Sequence, residues 1–342
     1  MNRSGIMNKT ISGTLRAVIL AGGRSKRFKS PLNKVLHNLC GKPVIQYVIE
    51  ACQEAGIENI HLITGHDTDD FKNLFGEQCR YVLQNEPLGT AHAVLQVRPY
   101  LENYAGDLFV LAGDSPFIDG QTLLDLVNHH RQTNAGATLI TAVFPDTPPF
   151  GRIVRDEQGR FQKIVEAKDA SPEELAIKEV NVTLYCFKTP IVMPLLSEVK
   201  NTNVQGEYYI TDVFQILLDK GYRVETMRSG NPYIGYGINT PDEFEKSRKI
   251  IQNNYIESLK NSEVTIPDPD HVTIDVMVKI GRGTIIHPFS VITGNTVIGG
   301  YCEIGPHTMI YDSQIGNHCK ITGGDIKNSD IPDDTIITSI FS

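Results

Sequence analysis

The sequence predicts an α/β domain with a largely parallel sheet, followed by a short parallel β-helix built on a six-residue repeat. Three observations carry that prediction. From Leu15 to about Met227, short apolar runs alternate with amphipathic stretches, the rhythm of β-α-β units. One of those runs, Asp107-Leu-Phe-Val-Leu111, is nearly all apolar, as a strand covered on both faces is. Finally, Ile274, Ile280, Ile286, Ile292, Ile298, Ile304 and Ile310 stand six residues apart, a period of neither helix nor flat strand.

The 342 residues are enough for two domains, each with a core of its own. A formal charge of −8 argues against a general nucleic-acid binder. The six cysteines form no CxxC pair and read as reduced core thiols of a cytoplasmic protein. No run reaches membrane-spanning length, so no membrane partner is expected. Residues 1–14 are polar, lack the apolar centre of a signal peptide, and read as a disordered leader.

Taken in order, Arg16-Ala-Val-Ile-Leu20 is short enough to be a buried strand, and it opens into Ala21-Gly22-Gly23-Arg24-Ser25-Lys26-Arg27-Phe28. Adjacent glycines let backbone N–H groups approach a ligand closely. Arg24, Lys26 and Arg27 add positive charge, with Lys34 just beyond. Strand, glycine turn and clustered cations describe a polyphosphate cradle. A helix then starts near Pro43 and ends before Gly56, the ends that proline and glycine favour. Strands follow at Ile60–Thr64 and Arg80–Leu83, a helix from about Thr90 to Val97, and the apolar strand that ends in Ala112-Gly-Asp114. Ligands collect at the carboxyl ends of parallel strands. The glycine loop, the stretch from Gln84 to Thr90 and Asp114 would therefore share one rim. The run from Gly136 to Phe187 is richer in strand-like segments and reads as a lobe closing over the ligand from the other side. Residues 241–262 read as a polar-faced linker helix.

The repeat occupies residues 263–342. Four positions after each isoleucine through Ile304 comes a small or β-branched residue: Val278, Thr284, Ser290, Thr296, Cys302, Thr308. The phase slips by one after Ile310, resumes at Ile315 and Ile321, and is expected to stop near Ile326. A triangular coil with one short strand per face and isoleucines stacked inside satisfies that spacing. His287, His307 and His318 fall at outward positions and read as solvated surface groups.

Residues 15–240 resemble the sugar nucleotidyltransferases, and within them the bacterial N-acetylglucosamine-1-phosphate uridyltransferases. The resemblance rests on Leu20-Ala-Gly-Gly23, Asn33-Lys-Val-Leu-His37, Leu83-Gln-Asn-Glu-Pro-Leu-Gly-Thr-Ala-His92 and Gly113-Asp114. It continues through Gly151-Arg-Ile153, Val165-Glu-Ala-Lys-Asp-Ala170, Asn181 and Gln205-Gly-Glu-Tyr-Tyr-Ile-Thr-Asp212. It implies a Rossmann-like nucleotidyltransferase domain with a mixed, mainly parallel sheet, then a left-handed β-helix. It also implies transfer of UMP from UTP to an amino-sugar 1-phosphate, for cell-envelope precursors. By that resemblance Lys34 and Arg27 are catalytic, and Leu20, Ala21, Gly22, Gly23, Gln84, Gly89 and Thr90 hold the nucleotide. Gly151, Glu166 and Asn181 meet the sugar, Asp114 and Asn239 hold Mg²⁺, and the β-helix assembles as a homotrimer. Three positions depart from the family pattern. Ser25-Lys26 replaces Gly-Thr, Ala112 replaces Tyr, and Val182-Thr183 follows Asn181 in place of Thr-Gly. No segment matches the family's acetyltransferase stretch, so that second activity is expected to be absent. Two alternatives stand beside this reading: the same fold acting on another nucleotide or hexose 1-phosphate, and a non-catalytic subunit that senses sugar nucleotides.

Overall fold

The computed structural model describes residues 15–23, 27, 28, 30–144 and 147–338. Arg24, Ser25 and Lys26 of the basic loop, and the leader at 1–14, lie outside them. The chain divides into two compact units. The first runs up to Leu36 and from Val44 to Asn239; the second takes His37–Pro43 and the chain from Thr240 onward.

The first unit is built on one mixed sheet. Its strands are β1 (Leu15–Leu20), β2 (Asn59–Thr64), β3 (Arg80–Leu83), β4 (Asp107–Ala112) and β5 (Ala137–Val143). They continue as β6 (Arg152–Arg155), β7 (Phe161–Val165), β8 (Glu179–Lys188) and β9 (Val224–Arg228). The order is β9-β5-β8-β4-β1-β2-β3, with β6 and β7 branching off beside β8. All neighbours along the main path are parallel except β8, which is antiparallel to both β4 and β5. Register aligns the strand ends that matter: Leu20 pairs with Ala112 on one side and Ile63 on the other.

Helices α1 (Val44–Glu54), α2 (Thr68–Phe75), α3 (Thr90–Leu95) and α4 (Gly120–Gln132) lie between these strands, with α5 (Pro172–Leu175), α6 (Thr189–Leu195) and α7 (Asp212–Asp219) further on. One core gathers Val18, Ile63 and Val110 of the sheet with Val94 of α3, Val192 of α6 and Phe214 of α7. Tyr185 and Phe187 meet Phe214 at ring distances of 5.1 and 5.5 Å. The expected lobe from Gly136 to Phe187 is not separate. β5 and β8 are interior strands of the main sheet, and only the β6–β7 hairpin branches from it. Both interior strands are almost wholly buried, so their continuous apolar runs pay for sheet membership rather than a lid.

In the second unit, α8 (Pro241–Asn261) opens with a capping box between Thr240 and Glu243. Its Ile256 and Leu259 join Val264, Ile274 and the isoleucine stack in one core. The helix expected to be a linker is thus a packed part of this unit. The repeat is a parallel β-helix with three sheets, one per face. Ile286, Ile292, Ile298, Ile304 and Ile310 are buried, as are the small residues Thr284, Ser290, Thr296, Cys302 and Thr308. All six cysteines are buried and unbridged.

The coil does not stop at Ile326: pairing continues through Ile331 and Ile337. Successive turns shorten. Val272 pairs with Ser290, Val297 with Gln314 and Gln314 with Asp330, so the turn contracts from eighteen to seventeen to sixteen residues. A six-residue count survives the first contraction, at Ile315, with a slip of one and loses the pattern at the second, which begins at Ile326. The corner histidines face outward as expected, with His307 and His318 exposed and His287 half-buried, and each also has a neighbour on an adjacent turn. His307 stacks on Phe289 at 5.0 Å and His318 on Tyr301 at 5.4 Å, while His287 pairs with Glu303 at 3.1 Å. All four stacked residues have left-handed φ, from 55° to 61°. That conformation costs a non-glycine side chain on the order of 1 kcal/mol, which ring stacking between turns offsets.

Candidate active site

The loops that follow β1, β3 and β4 surround a cleft of about 670 Å³ in the first unit. Of the residues singled out in the sequence, Leu20, Ala21, Gly22, Gly23, Lys34, Gln84, Gly89, Thr90, Asp114, Asn181 and Asn239 line it. Gly151, Glu166 and Arg27 do not. Gly151 is buried against Ile164 and Glu166, where a Cβ would lie 2.8 Å from Ile164 Cγ2. Glu166 accepts from the Thr211 hydroxyl at 3.0 Å. Burial raises its carboxyl above the usual range, against that hydrogen bond, with Asp212 and Asp169 adding to the rise. Arg27 is exposed in the turn after the glycine loop.

Lys34 is the electrostatic centre. Its Nζ donates to Asp114 Oδ2 at 2.5 Å and to Asn239 Oδ1 at 2.6 Å. These groups come from three distant stretches of chain, and each is placed by local structure. Lys34 opens a short 3₁₀ turn, Lys34–Leu36. Asn33 precedes that turn: its Oδ1 accepts from Val35 N, and its Nδ2 donates to Ala21 O and to Asp67 Oδ2. One buried amide therefore ties the glycine loop, the turn that carries Lys34 and the loop after β2. Asp114 follows β4, and its backbone oxygen accepts from Ile238 N at 2.9 Å, which brings Asn239 alongside. Gly237 sits against both oxygen-bearing side chains, 3.4 Å from its would-be Cβ to Asp114 Oδ1.

Two hard oxygen donors that already hold one cation suit a divalent metal. Among the described residues no group of three His, Cys, Asp or Glu side chains could hold a metal. Asp114 and Asn239 would then supply two ligands and leave the rest to substrate phosphates and water.

The nucleotide side is more constrained than the sequence suggested. Gln84 Nε2 donates to Gly89 O at 3.1 Å and meets His92 Nδ1 at 3.0 Å. The amide nitrogen is thus turned to the protein, and Oε1, an acceptor, lies beside Gly22. Gly89 has φ +123°, and a Cβ there would lie 2.5 Å from Tyr208 O. Ala91 N bonds Tyr208 O, Tyr208 N bonds Leu88 O, and Ile210 N bonds Thr90 Oγ1. The Gln205–Asp212 block thus shapes this loop largely through its backbone. A smaller cavity of about 360 Å³ adjoins it, walled by Gly22, Gly23, Gln84, His66 and Asp67.

Sequence reasoning passed over Asn33 as a positioning group, and also Thr183 and Glu207, which line the cleft. The signal for Asn33 was present: an asparagine directly before a helical turn is a preferred cap.

A glycine loop, a lysine and a paired acid and amide at the carboxyl ends of a mixed α/β sheet, followed by a hexapeptide coil, define a nucleotidyltransferase with a left-handed β-helix. Comparison with known proteins agrees. The nucleotidyl transferase family matches residues 16–253, and the bacterial transferase hexapeptide (six repeats) matches residues 277–312. The bifunctional protein GlmU of Geobacillus sp. strain WCH70 is 42% identical over 321 residues, covering 94% of this chain and 70% of the relative. That of Geobacillus thermodenitrificans is 40% identical over 317 residues, covering 93% and 69%. That of Acetivibrio thermocellus is 39% identical over 321 residues, covering 94% and 70%. The chain belongs to the GlmU family of nucleotidyl transferases.

Proposed function

We infer that the chain is a sugar-1-phosphate uridylyltransferase that makes UDP-N-acetylglucosamine and pyrophosphate from UTP and N-acetylglucosamine 1-phosphate. The observation that carries the reading is the convergence of Lys34, Asp114 and Asn239 within 2.6 Å in the cleft. A phosphate oxygen of the sugar attacks the α-phosphorus of UTP, and the bond to the pyrophosphate oxygen breaks in line. The nucleophile is already anionic, so the protein's task is positioning and charge neutralisation. Lys34 meets the charge that develops at the α-phosphate, while the Gly22–Gly23 backbone and exposed Arg27 meet the departing phosphates. Asp114 and Asn239 would hold a divalent ion, which we read as Mg²⁺, and when bound it would neutralise phosphate charge and polarise the reacting phosphoryl group.

Gln84 Oε1, an obligate acceptor, faces the uracil imide N–H. Cytosine presents an acceptor at the same point, which puts two lone pairs face to face and favours UTP over CTP. On the sugar side, Asn181 lines the cleft, its Nδ2 donating to the Tyr185 hydroxyl behind it. Glu166 and Gly151, behind the cleft lining, shape that end. Buried, unbridged thiols fit a reducing cytoplasm, and no helix among the described residues is long and apolar enough to cross a membrane. Exposed Phe289, Tyr301 and Tyr311 on the β-helix suit its assembly as a homotrimer. Screening four nucleoside triphosphates against N-acetylglucosamine 1-phosphate and other hexose 1-phosphates, with pyrophosphate release as readout, tests the reading. Turnover with UTP and the acetamido sugar supports it, and preference for another pair overturns it.

A further inference from the structure

The two oxygen ligands of the cleft arrive by different routes. Asp114 lies just past the end of β4. Asn239 ends a long loop, 229–239, that leaves the edge strand β9 and must pass β5 and β8 to reach β4. That crossing spans three strand spacings, roughly 14 Å. With no helix or strand of its own, the loop depends on side-chain packing for its course. Rings supply that packing. Phe117, shortly after Asp114, meets Tyr233 at 5.6 Å and Tyr236 at 6.3 Å between ring centroids. Tyr236 also meets Phe144, directly after β5, at 5.6 Å. A Cβ on Gly235 would lie 2.8 Å from Phe144 Cζ, so this ring rests on the loop backbone itself. Asn231 adds a polar tie: its Oδ1 accepts from Tyr233 N at 2.9 Å, and its Nδ2 donates to Phe117 O at 3.0 Å. Nearer the cleft, Ile238 N donates to Asp114 O at 2.9 Å. The loop that carries one ligand is thus pinned to the loop that carries the other.

We propose that Phe117 and Asn231, with Tyr233, Tyr236 and Phe144 around them, are positioning residues that set the span between the Asp114 and Asn239 side chains in advance of a divalent ion. Two protein ligands leave such an ion dependent on phosphate oxygens. Their span therefore decides how far metal and nucleotide strengthen each other's binding. Groups that orient a metal ligand from behind are worth roughly 10- to 100-fold in affinity. None of the five is among the residues lining the cleft, so they act through the two ligands and not on substrate. The proposal rests on the uridylyltransferase reading and deepens it.

The test is made on the full chain with Phe117→Leu, Asn231→Ala and Tyr233→Phe. Pyrophosphate release is followed at saturating UTP and sugar phosphate. Phe117→Leu and Asn231→Ala should raise the Mg²⁺ concentration for half-maximal rate about tenfold, and saturating Mg²⁺ should recover most of the rate. Tyr233→Phe keeps the ring and should match the parent. Calorimetry of UTP binding without sugar phosphate reads the same support with no turnover. With the metal chelated, UTP should bind Phe117→Leu and Asn231→Ala as it binds the parent; with Mg²⁺ present it should bind them about tenfold more weakly. An unchanged Mg²⁺ requirement in both variants overturns the proposal. So does a weakening of UTP binding as large with the metal chelated as with Mg²⁺, which marks general damage to the cleft. A loss in Tyr233→Phe equal to that in Phe117→Leu also overturns it, because a hydroxyl and not ring packing would then be at work. A parent protein inactive with UTP would instead strike the uridylyltransferase reading.

Discussion

Replacing Lys34 with alanine removes a cation seated on both Asp114 and Asn239. The magnitude follows from charge and distance. A unit charge about 5 Å from a phosphate oxygen, in an effective dielectric of about 20, contributes roughly 3 kcal/mol. If that attraction grows as charge shifts onto the departing oxygens, the loss appears in kcat, and 3 kcal/mol is somewhat over a hundredfold. The fold should tolerate the change. Lys34 and Asp114 side chains keep 15% and 17% exposure, so solvent reaches the carboxylate left behind. A partly exposed pair contributes on the order of 1 kcal/mol, a shift of about 2–4 °C in melting temperature for a domain of this size. The assay is pyrophosphate release at saturating UTP and sugar phosphate, with a melting curve on the same preparation. Lys34→Ala that turned over within about fivefold of the parent would refute the placement of the reacting phosphates at this centre, since no unit charge there is worth so little.

Gly89→Ala should raise KM for UTP and lower the melting temperature together, because its Cβ would lie 2.5 Å from Tyr208 O; calorimetry with a UTP titration reads both. Burial alone would raise the Glu179 carboxyl, but hydrogen bonds from Arg155 and Thr141 hold it below the usual range. A folded-state value below the unfolded one adds stability above about pH 4.3, which is lost as pH falls through the folded value. Melting temperature should therefore drop on acidification through that window, and Arg155→Met should flatten the drop while lowering stability at pH 7. UTP should outperform CTP by about a hundredfold or more, given that a lone-pair clash is added to a lost hydrogen bond, with pyrophosphate release as the measure. Light scattering of the full chain at micromolar concentration should give three times the monomer mass; a monomer would end the trimer reading.

Much of this architecture could be read from residue order because it is written in local periods. Isoleucines six apart leave a coil as the only way to stack them, and Ala21-Gly22-Gly23 after an apolar strand declares a phosphate-type turn. The convergence of Lys34 with Asn239 was named only through family resemblance, because no local period spans such a separation. Other features are invisible for physical reasons. Residue order shows that Gln84 is an amide but not that its nitrogen is turned to Gly89 O and His92. The Gln205–Asp212 block carries the resemblance by its residue types, yet its effect on Gly89 runs through the Tyr208 backbone, which sequence does not display. β5 and β8 read as a lid because strand pairing across such spans is set by the whole sheet, and the bulge at Asn181 is visible only in register.

The shrinking turn of the β-helix gives that unit a direction. A thread with a constant number of residues per revolution can be lengthened by copying any revolution into any place. Here the circumference narrows from the Val272 end toward the Gln314 end, so the revolutions are graded like rings on a cone. A duplicated early revolution spliced near Lys320 would be two residues too wide for its neighbours and would throw its isoleucines out of the stack. Insertions and deletions are therefore not interchangeable along this unit: each level accepts only its own gauge.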